Sequence, residues 1–309
     1  MQDLYKLLTI AGACGFDVIA EIIRKHDPTD IIIAAAEKMK VEPKAIANQP
    51  MGCYSKGRRS GGYYFVLKDL KQNIAEYEKV YQSFADQDSR GIFTQLMLFR
   101  LFPTPGFLEN VCDTKNPEYY DKNIIKTNEN EIFVDCGAYI GDSVMNYIKH
   151  CGAYKHIYAY EPNEKNFEKC HKNLAKYENI TLRQAGVGLK SEELVLFEWE
   201  EDTSSASSGF MVPLGYKGTK TSQVISLDED IQEPVTFIKL DIEGFEIEAI
   251  NGAKRHIAED KPKLAVCVYH VVSDIWEIPQ LINSINPGYR FYLRHYNATQ
   301  NFDTVLYCV

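Results

Sequence analysis

The chain lacks a long apolar run, a paired-cysteine motif, a phosphate-cradling glycine loop and any broad basic face. None of its apolar stretches approaches the roughly 20 residues of a membrane span, so no membrane partner is expected. Its start, Met1-Gln2-Asp3-Leu4, has neither the basic region nor the small-residue cleavage site of a signal peptide. The eight cysteines stand far apart with no C-x-x-C spacing, the pattern of reduced, mostly buried thiols. Together these absences lead us to expect a cytoplasmic protein. Positive charge is scarce as well. Lys and Arg number 34 against 43 Asp and Glu, a net charge of −9. Residues 1–125 hold 16 of each sign, whereas residues 126–309 hold 18 basic and 27 acidic side chains. Neither part has the basic face that a phosphate backbone requires, so no nucleic-acid partner is expected. The one compact basic group, Lys56-Gly57-Arg58-Arg59, is short and glycine-flanked and reads as a solvated loop.

What is present is an ordinary globular composition, 45% hydrophobic and 25% charged, over 309 residues. That length suggests two domains, or one with a large extension. Residues 1–125 lean helical. Leu4, Leu7 and Leu8, then Val18, Ile19, Ile22 and Ile23, recur at helical spacing. Asp30 to Lys40 reads as a short helix, although Ile31-Ile32-Ile33 could also start a strand. Tyr63-Tyr64-Phe65-Val66-Leu67 is ambiguous between strand and buried helix. From Asp69 to Phe84 the apolar positions Ile74, Tyr77, Val80, Tyr81 and Phe84 form one helical face, and Ser89 is placed to cap a further helix through Phe99. Pro103, Pro105 and Gly106 stop it. These aromatics are expected to be core or a docked face, with a sugar-stacking surface as the other option.

The pattern changes at Glu131-Ile132-Phe133-Val134-Asp135-Cys136-Gly137-Ala138-Tyr139-Ile140-Gly141-Asp142. A short apolar run ends in an acid, two glycines follow, and a helix begins with Asp142 or Ser143 as its cap. In an open α/β sheet such a turn lies where a ligand binds. Gly137-x-x-x-Gly141 is neither G-x-G-x-x-G nor a Walker loop. Asp135 at its mouth would repel a pyrophosphate and suit a cation such as the ammonium and sulfonium of S-adenosyl-L-methionine. His156-Ile157-Tyr158-Ala159-Tyr160 reads as a second strand, ending at Glu161-Pro162-Asn163. A carboxylate there, roughly 20 residues past the glycines, is where a ribose is gripped through its hydroxyls. Glu161 could instead cap the helix from Asn163 onward.

Strands and helices then alternate, which predicts an α/β fold with a mostly parallel sheet. Further strands are expected at Ile180–Gln184, Thr236–Leu240, Lys263–Tyr269, Arg290–His295 and Thr304–Val309, and extended runs at Glu192–Trp199 and Thr221–Leu227. A helix is expected to follow Gly244, and another to run from Ile275 to Ile285. Too few residues join the last two strands for a helical crossover, so they must be antiparallel. The expectation is a Rossmann-like seven-stranded sheet with an antiparallel last strand over residues 126–309. A mostly helical region, residues 1–125, precedes it and is a possible acceptor or partner contact.

These features resemble a class I S-adenosylmethionine-dependent methyltransferase, through the closing hairpin, the Val134-Asp135-Cys136-Gly137 turn with Gly141, and Tyr160-Glu161-Pro162-Asn163. Phe237-Ile238-Lys239-Leu240-Asp241-Ile242-Glu243-Gly244-Phe245-Glu246 is similar to the FkbM family of that class. So are Gly252-Ala253, Val268-Tyr269-His270 and Leu293-Arg294-His295-Tyr296. The likeness covers about residues 127–309, and residues 1–125 match no motif of the family. It implies methyl transfer from S-adenosyl-L-methionine to an oxygen, often a hydroxyl of a sugar, glycan or secondary metabolite. Carried over, Asp135, Gly137, Ala138, Tyr139, Gly141 and Asp142 belong to the methionine end of the cofactor. Glu161, Pro162 and Asn163 belong to the ribose. Gln184, Ala185 and Gly186 fall where adenine is met, although Asn or Asp is the residue expected there.

A sulfonium methyl is already electrophilic, so the protein must align a nucleophile and remove its proton. Proximity lowers much of the barrier, and a positioned base adds typically ~10²–10⁴-fold. Candidates at strand ends are Asp241, Glu243, His270 and His295. Asp241 could equally meet the cofactor. Glu243 could be a first-turn helix residue facing the macrodipole. His270, closing an apolar strand, could be a satisfied core histidine, and His295 sits nearer a polar rim. Two acids and a histidine could form a metal site, but a hard cation wants more oxygen ligands, so no metal ligand is assigned. The Ser-rich Thr203–Gly209 loop could fold over substrate or merely connect. Two other functions compete. One is a binding module without turnover, and the other a protein or RNA methyltransferase, disfavoured by the charge balance and the absence of Asn-Pro-Pro-Tyr.

Overall fold

Ile132-Phe133-Val134-Asp135-Cys136 forms the central strand of a sheet, β1 (Ile132–Cys136), and is buried at every position. The computed structural model describes residues 4–48, 50–55, 58–198, 208–210 and 220–309. Alongside β1 run β2 (His156–Tyr160), β3 (Ile180–Arg183), β4 (Phe237–Leu240) and β5 (Lys263–Cys267). Every pairing among these five is parallel: β5 with β4, β4 with β1, β1 with β2, and β2 with β3. β6 (Phe291–His295) and β7 (Thr304–Cys308) complete seven strands in the order β6-β7-β5-β4-β1-β2-β3. The sheet is mostly parallel with an antiparallel last strand, and a helical N-terminal region precedes it, as the sequence predicts. Helices Asp142–Cys151 and Glu164–Leu174 follow β1 and β2, and Glu246–Gly252 with Lys254–Glu259 follow β4. The carboxyl ends of the parallel strands share one edge, the edge at which open α/β sheets take ligands. Among the described residues no helix is long and apolar enough to cross a membrane.

The chain divides into two compact units, one of residues 115–267, 281–289 and 307–309. Its core is aromatic. Phe133 stacks on Tyr147 at 4.6 Å and on Phe237 at 4.9 Å, and Tyr120 meets all three rings edge-on. Such pairs add about 0.5–1.5 kcal/mol each beyond their burial. A smaller sheet joins Gly186–Val187, Lys220–Ile225, Glu192–Glu198 and Ser208–Gly209.

The other unit holds residues 1–114, 268–280 and 290–306. Its helices include Leu4–Cys14, Phe16–Lys25, Pro28–Met39, Tyr63–Gln72, Ile74–Ser83 and Gln87–Leu101. Phe16, Tyr77, Phe84 and Phe93 are fully enclosed and pack ring to ring, so these aromatics are core. Tyr77 donates to Asp69 Oδ2 (2.6 Å), which also accepts from Trp276 Nε1 (3.2 Å).

Several local expectations are corrected. The ambiguous Ile31 and Tyr63 runs are helical. The face from Ile74 onward belongs to a second helix, because Asn73, at φ −112° and ψ 21°, leaves the helical backbone and ends the first. Ser89 is not a cap. Asp86 is, accepting the Ser89 N–H at 2.8 Å. Gly141 takes the cap position expected of Asp142 or Ser143, in a left-handed backbone no carboxylate or hydroxyl is needed to stabilise. β5 stops at Cys267, so Tyr269 and His270 lie beyond the strand and not within its end. The hairpin Pro50–Ser55 with Arg58–Gly62 was not foreseen. Lys56 and Gly57 of the basic group, Trp199, and Thr203–Ser207 of the Ser-rich loop lie outside the described residues.

Candidate functional site

The turn leaving β1 is built by its glycines. Gly137 and Gly141 have φ of +81° and +85°, and Tyr139 between them shares the left-handed region at +48°. A Cβ on Gly137 would lie 1.9 Å from the Asp241 carbonyl oxygen, so only glycine lets the turn rest on the end of β4. Gly137 and Ala138 donate their N–H groups to the Tyr160 carbonyl at 3.0 and 2.9 Å, tying the turn to the end of β2. Asp142, just past it, is exposed.

Asp135 does not face solvent. Its carboxylate is fully enclosed, 3.0 Å from the equally buried Lys239 ammonium, and accepts the Ser143 hydroxyl. The parallel register sets Lys239 directly opposite Asp135. Lys239 also donates to the carbonyls of Gly137 (2.7 Å) and Cys136 (3.3 Å). Burial alone would lower the lysine, but Asp135 and then Asp241 hold it above its ordinary value. Burial raises Asp135 above the usual carboxylate range, against the pull of Lys239 and Ser143.

Glu161 closes the neighbouring corner. Its Oε2 accepts from the Tyr139 N–H and its Oε1 from the Asn163 N–H, both at 2.9 Å. Only 4% of it is exposed, and burial pushes its carboxyl up to about 7, with the Asn163 and Tyr139 N–H groups opposing the rise. Asn163, not Glu161, caps the helix that follows, accepting the Asn166 N–H at 3.1 Å. Pro162 between them is half-buried. At the end of β3, Gln184 is exposed and Ala185 buried.

Asp241 follows β4, half-buried, and its Oδ2 accepts the Tyr119 hydroxyl at 2.8 Å. Glu243 has a left-handed backbone (φ +58°) and precedes the helix instead of opening it. Glu246 stands in the first turn, its Oε1 accepting the Ile242 N–H at 3.0 Å. A Cβ on Gly209 would come within 2.9 Å of the Glu243 Cβ, so the described end of the Ser-rich loop rests on Glu243.

His270 and His295 belong to the other unit. His270 is buried with its ring 4.1 Å from that of Tyr269. His295 is enclosed, its Nδ1 2.9 Å from Thr304 Oγ1, and burial lowers it to about 4, leaving the ring neutral at pH 7.

The first unit thus brings together Asp135, Gly137, Ala138, Tyr139, Gly141, Glu161, Asn163, Asp241 and Glu243 at one edge of the sheet. Sequence reasoning missed Lys239, Ser143 and Tyr119. A lysine inside the apolar run Phe237-Ile238-Lys239-Leu240 was a signal, since lysines are almost never fully buried unless paired. Tyr119 had none.

The family model described as the methyltransferase FkbM domain matches residues 135–296. The crystal structure of methyltransferase FkbM from Methylobacillus flagellatus KT is similar, with 29% identity and a TM-score of 0.67. The match covers 78% of this chain and 60% of that one, so this chain spans about 60% of that protein's length. An rRNA methylase from Streptococcus thermophilus is more distant, at 16% identity and a TM-score of 0.38 over 59% of this chain and 87% of its own. Aeropyrum pernix fibrillarin with natively bound S-adenosyl-L-methionine has 10% identity and a TM-score of 0.38, over 60% and 69%. No curated protein matches the chain.

Proposed function

Because the chain belongs to the FkbM methyltransferase family, we propose that it uses S-adenosyl-L-methionine to methylate a hydroxyl oxygen of a sugar, glycan or secondary metabolite. The observation that carries the cofactor reading is Glu161, a buried carboxylate fixed at the end of β2 by the Tyr139 and Asn163 N–H groups. Its oxygens take these two backbone donors and the Asn166 side chain, which leaves acceptor capacity on the carboxylate for a ribose hydroxyl. The residues present therefore fit a nucleoside.

When bound, the cofactor supplies the transferable methyl group. The turn from Gly137 to Gly141 is proposed to hold its methionine end, with Asp241 as the carboxylate for its ammonium. Asp135 is assigned a supporting part, since Lys239 already matches its charge. Gln184 and Ala185 remain the candidates for adenine. We assign removal of the acceptor's proton to His270, because His295 at about 4 is too weak a base near neutral pH. Residues 1–125 are proposed to select the acceptor or a partner.

Two measurements test this. Calorimetry should show S-adenosylhomocysteine binding in preference to NAD and ATP, and tight NAD binding with no heat from S-adenosylhomocysteine would end the cofactor reading. Incubation with methyl-labelled S-adenosyl-L-methionine and extracts separated into small molecules, glycans, protein and RNA should place label on a small molecule or glycan. Label on protein or RNA alone would overturn the acceptor class.

A further inference from the structure

Tyr119 lies before the span matched by the family model, which begins at Asp135. Its backbone is left-handed (φ +67°), a conformation uncommon for a tyrosine. The next residue anchors it there. Tyr120 is fully buried in the aromatic core and donates its hydroxyl to the Ser143 carbonyl at 2.8 Å. Tyr119 is thereby directed to the end of β4, where its hydroxyl also lies 3.8 Å from Cys267 Sγ. Its hydroxyl donates to Asp241 Oδ2 at 2.8 Å, and its ring centroid lies 5.2 Å from the Lys239 ammonium, within cation–π reach. The same ammonium donates to the Gly137 carbonyl. The Asp241 backbone is fixed independently, since its N–H donates to the Cys136 carbonyl at 3.2 Å and its own carbonyl packs on Gly137. The direction of the Asp241 carboxylate is set by its side-chain partners, and the Tyr119 hydroxyl is one of them.

We propose that Tyr119 is a positioning residue that orients the Asp241 carboxylate toward the amino-acid end of the cofactor, and so governs selectivity for a ligand carrying that ammonium. This rests on the reading of the turn as an S-adenosyl-L-methionine site. A phenol is a neutral donor, so it restricts the carboxylate without cancelling its charge, which a lysine in its place would do. Its seat on Lys239 ties that direction to the Gly137 turn.

The test compares two ligands by calorimetry on the full chain: S-adenosylhomocysteine, and 5′-methylthioadenosine, which lacks the amino-acid end. Tyr119→Phe keeps the ring on Lys239 and removes one oxygen. It should weaken S-adenosylhomocysteine by about tenfold, the loss of a hydrogen bond to a charged group. Affinity for 5′-methylthioadenosine should stay within about twofold of wild type. In an Asp241→Asn background, which weakens S-adenosylhomocysteine by itself, Tyr119→Phe should add little, because coupled residues are not additive. Tyr119→His, which keeps a ring and a donor, should recover part of the loss, and it carries the comparison if the Phe variant does not fold. Equal weakening of both ligands, no weakening, or an undiminished effect in the Asp241→Asn background each overturns the proposal while the cofactor reading stands. A wild-type chain that binds neither ligand overturns that reading, and this proposal with it.

Discussion

The Lys239 ammonium sits 3.0 Å from Asp135 Oδ1 with both side chains closed off from solvent, directly opposite each other on adjacent parallel strands. A charge pair so placed is costly to break, because removing one partner strands the other in a low-dielectric interior. Lys239→Met should therefore lower unfolding free energy by about 3–5 kcal/mol. Pairing it with Asp135→Asn should restore most of that loss. Urea titrations of both variants measure it, and a single substitution that costs under about 1 kcal/mol would show the pair to be solvated.

The cofactor contact proposed for Glu161 should be sensitive to pH near neutrality. Its folded-state carboxyl is raised to about 7 from an ordinary 4.5, so the folded chain holds this proton more readily than the unfolded one. The contribution to stability is thus present at low pH and declines as pH rises from about 4.5 to about 7. Binding should run the other way, because ribose hydroxyls would donate best to the ionised form. Affinity for S-adenosylhomocysteine should rise between pH 6 and 8 with net proton release on the acid side, as calorimetry in buffers of different ionisation enthalpy would show. Glu161→Ala should weaken binding by roughly 1.5–3 kcal/mol for each charge-assisted bond lost and abolish that rise. A wild-type affinity flat across the range would remove Glu161 from the contact.

His270→Ala should lower kcat well over tenfold while S-adenosylhomocysteine affinity stays within a few-fold. The acidic limb of the kcat–pH profile should vanish in the variant. Persistence of that limb would pass the role to an acid such as Asp241 or Glu243.

Phe133 touches the stacked rings of Tyr147 and Phe237 at the centre of its unit. Phe133→Ala should destabilise by about 3–5 kcal/mol, transfer and cavity costs combined. Chemical denaturation should show this with little change in cofactor affinity, since the side chain lies inside the sheet packing and not at its ligand edge. A comparable loss of affinity in folded protein would show that the stack supports the turn directly.

The sequence alone determined the alternation of strands and helices, the glycine turn after Asp135 and the acid at Glu161. Each is a local property: apolar runs mark buried strands, and glycine marks left-handed backbone wherever its neighbours lie. Short-range choices between adjacent polar residues were harder to read. Ser89 and Asp86, or Ser143 and Gly141, compete for a cap within one turn of chain, and the winner depends on where the helix axis points. Only the tertiary structure decided which acid is matched by a buried cation. Asp135 and Lys239 are 3.0 Å apart through the register of β1 with β4, and Tyr119 reaches Asp241 across a similar gap in sequence. No period or spacing encodes such a meeting. It follows from strand order and register, which the packing of the whole sheet sets.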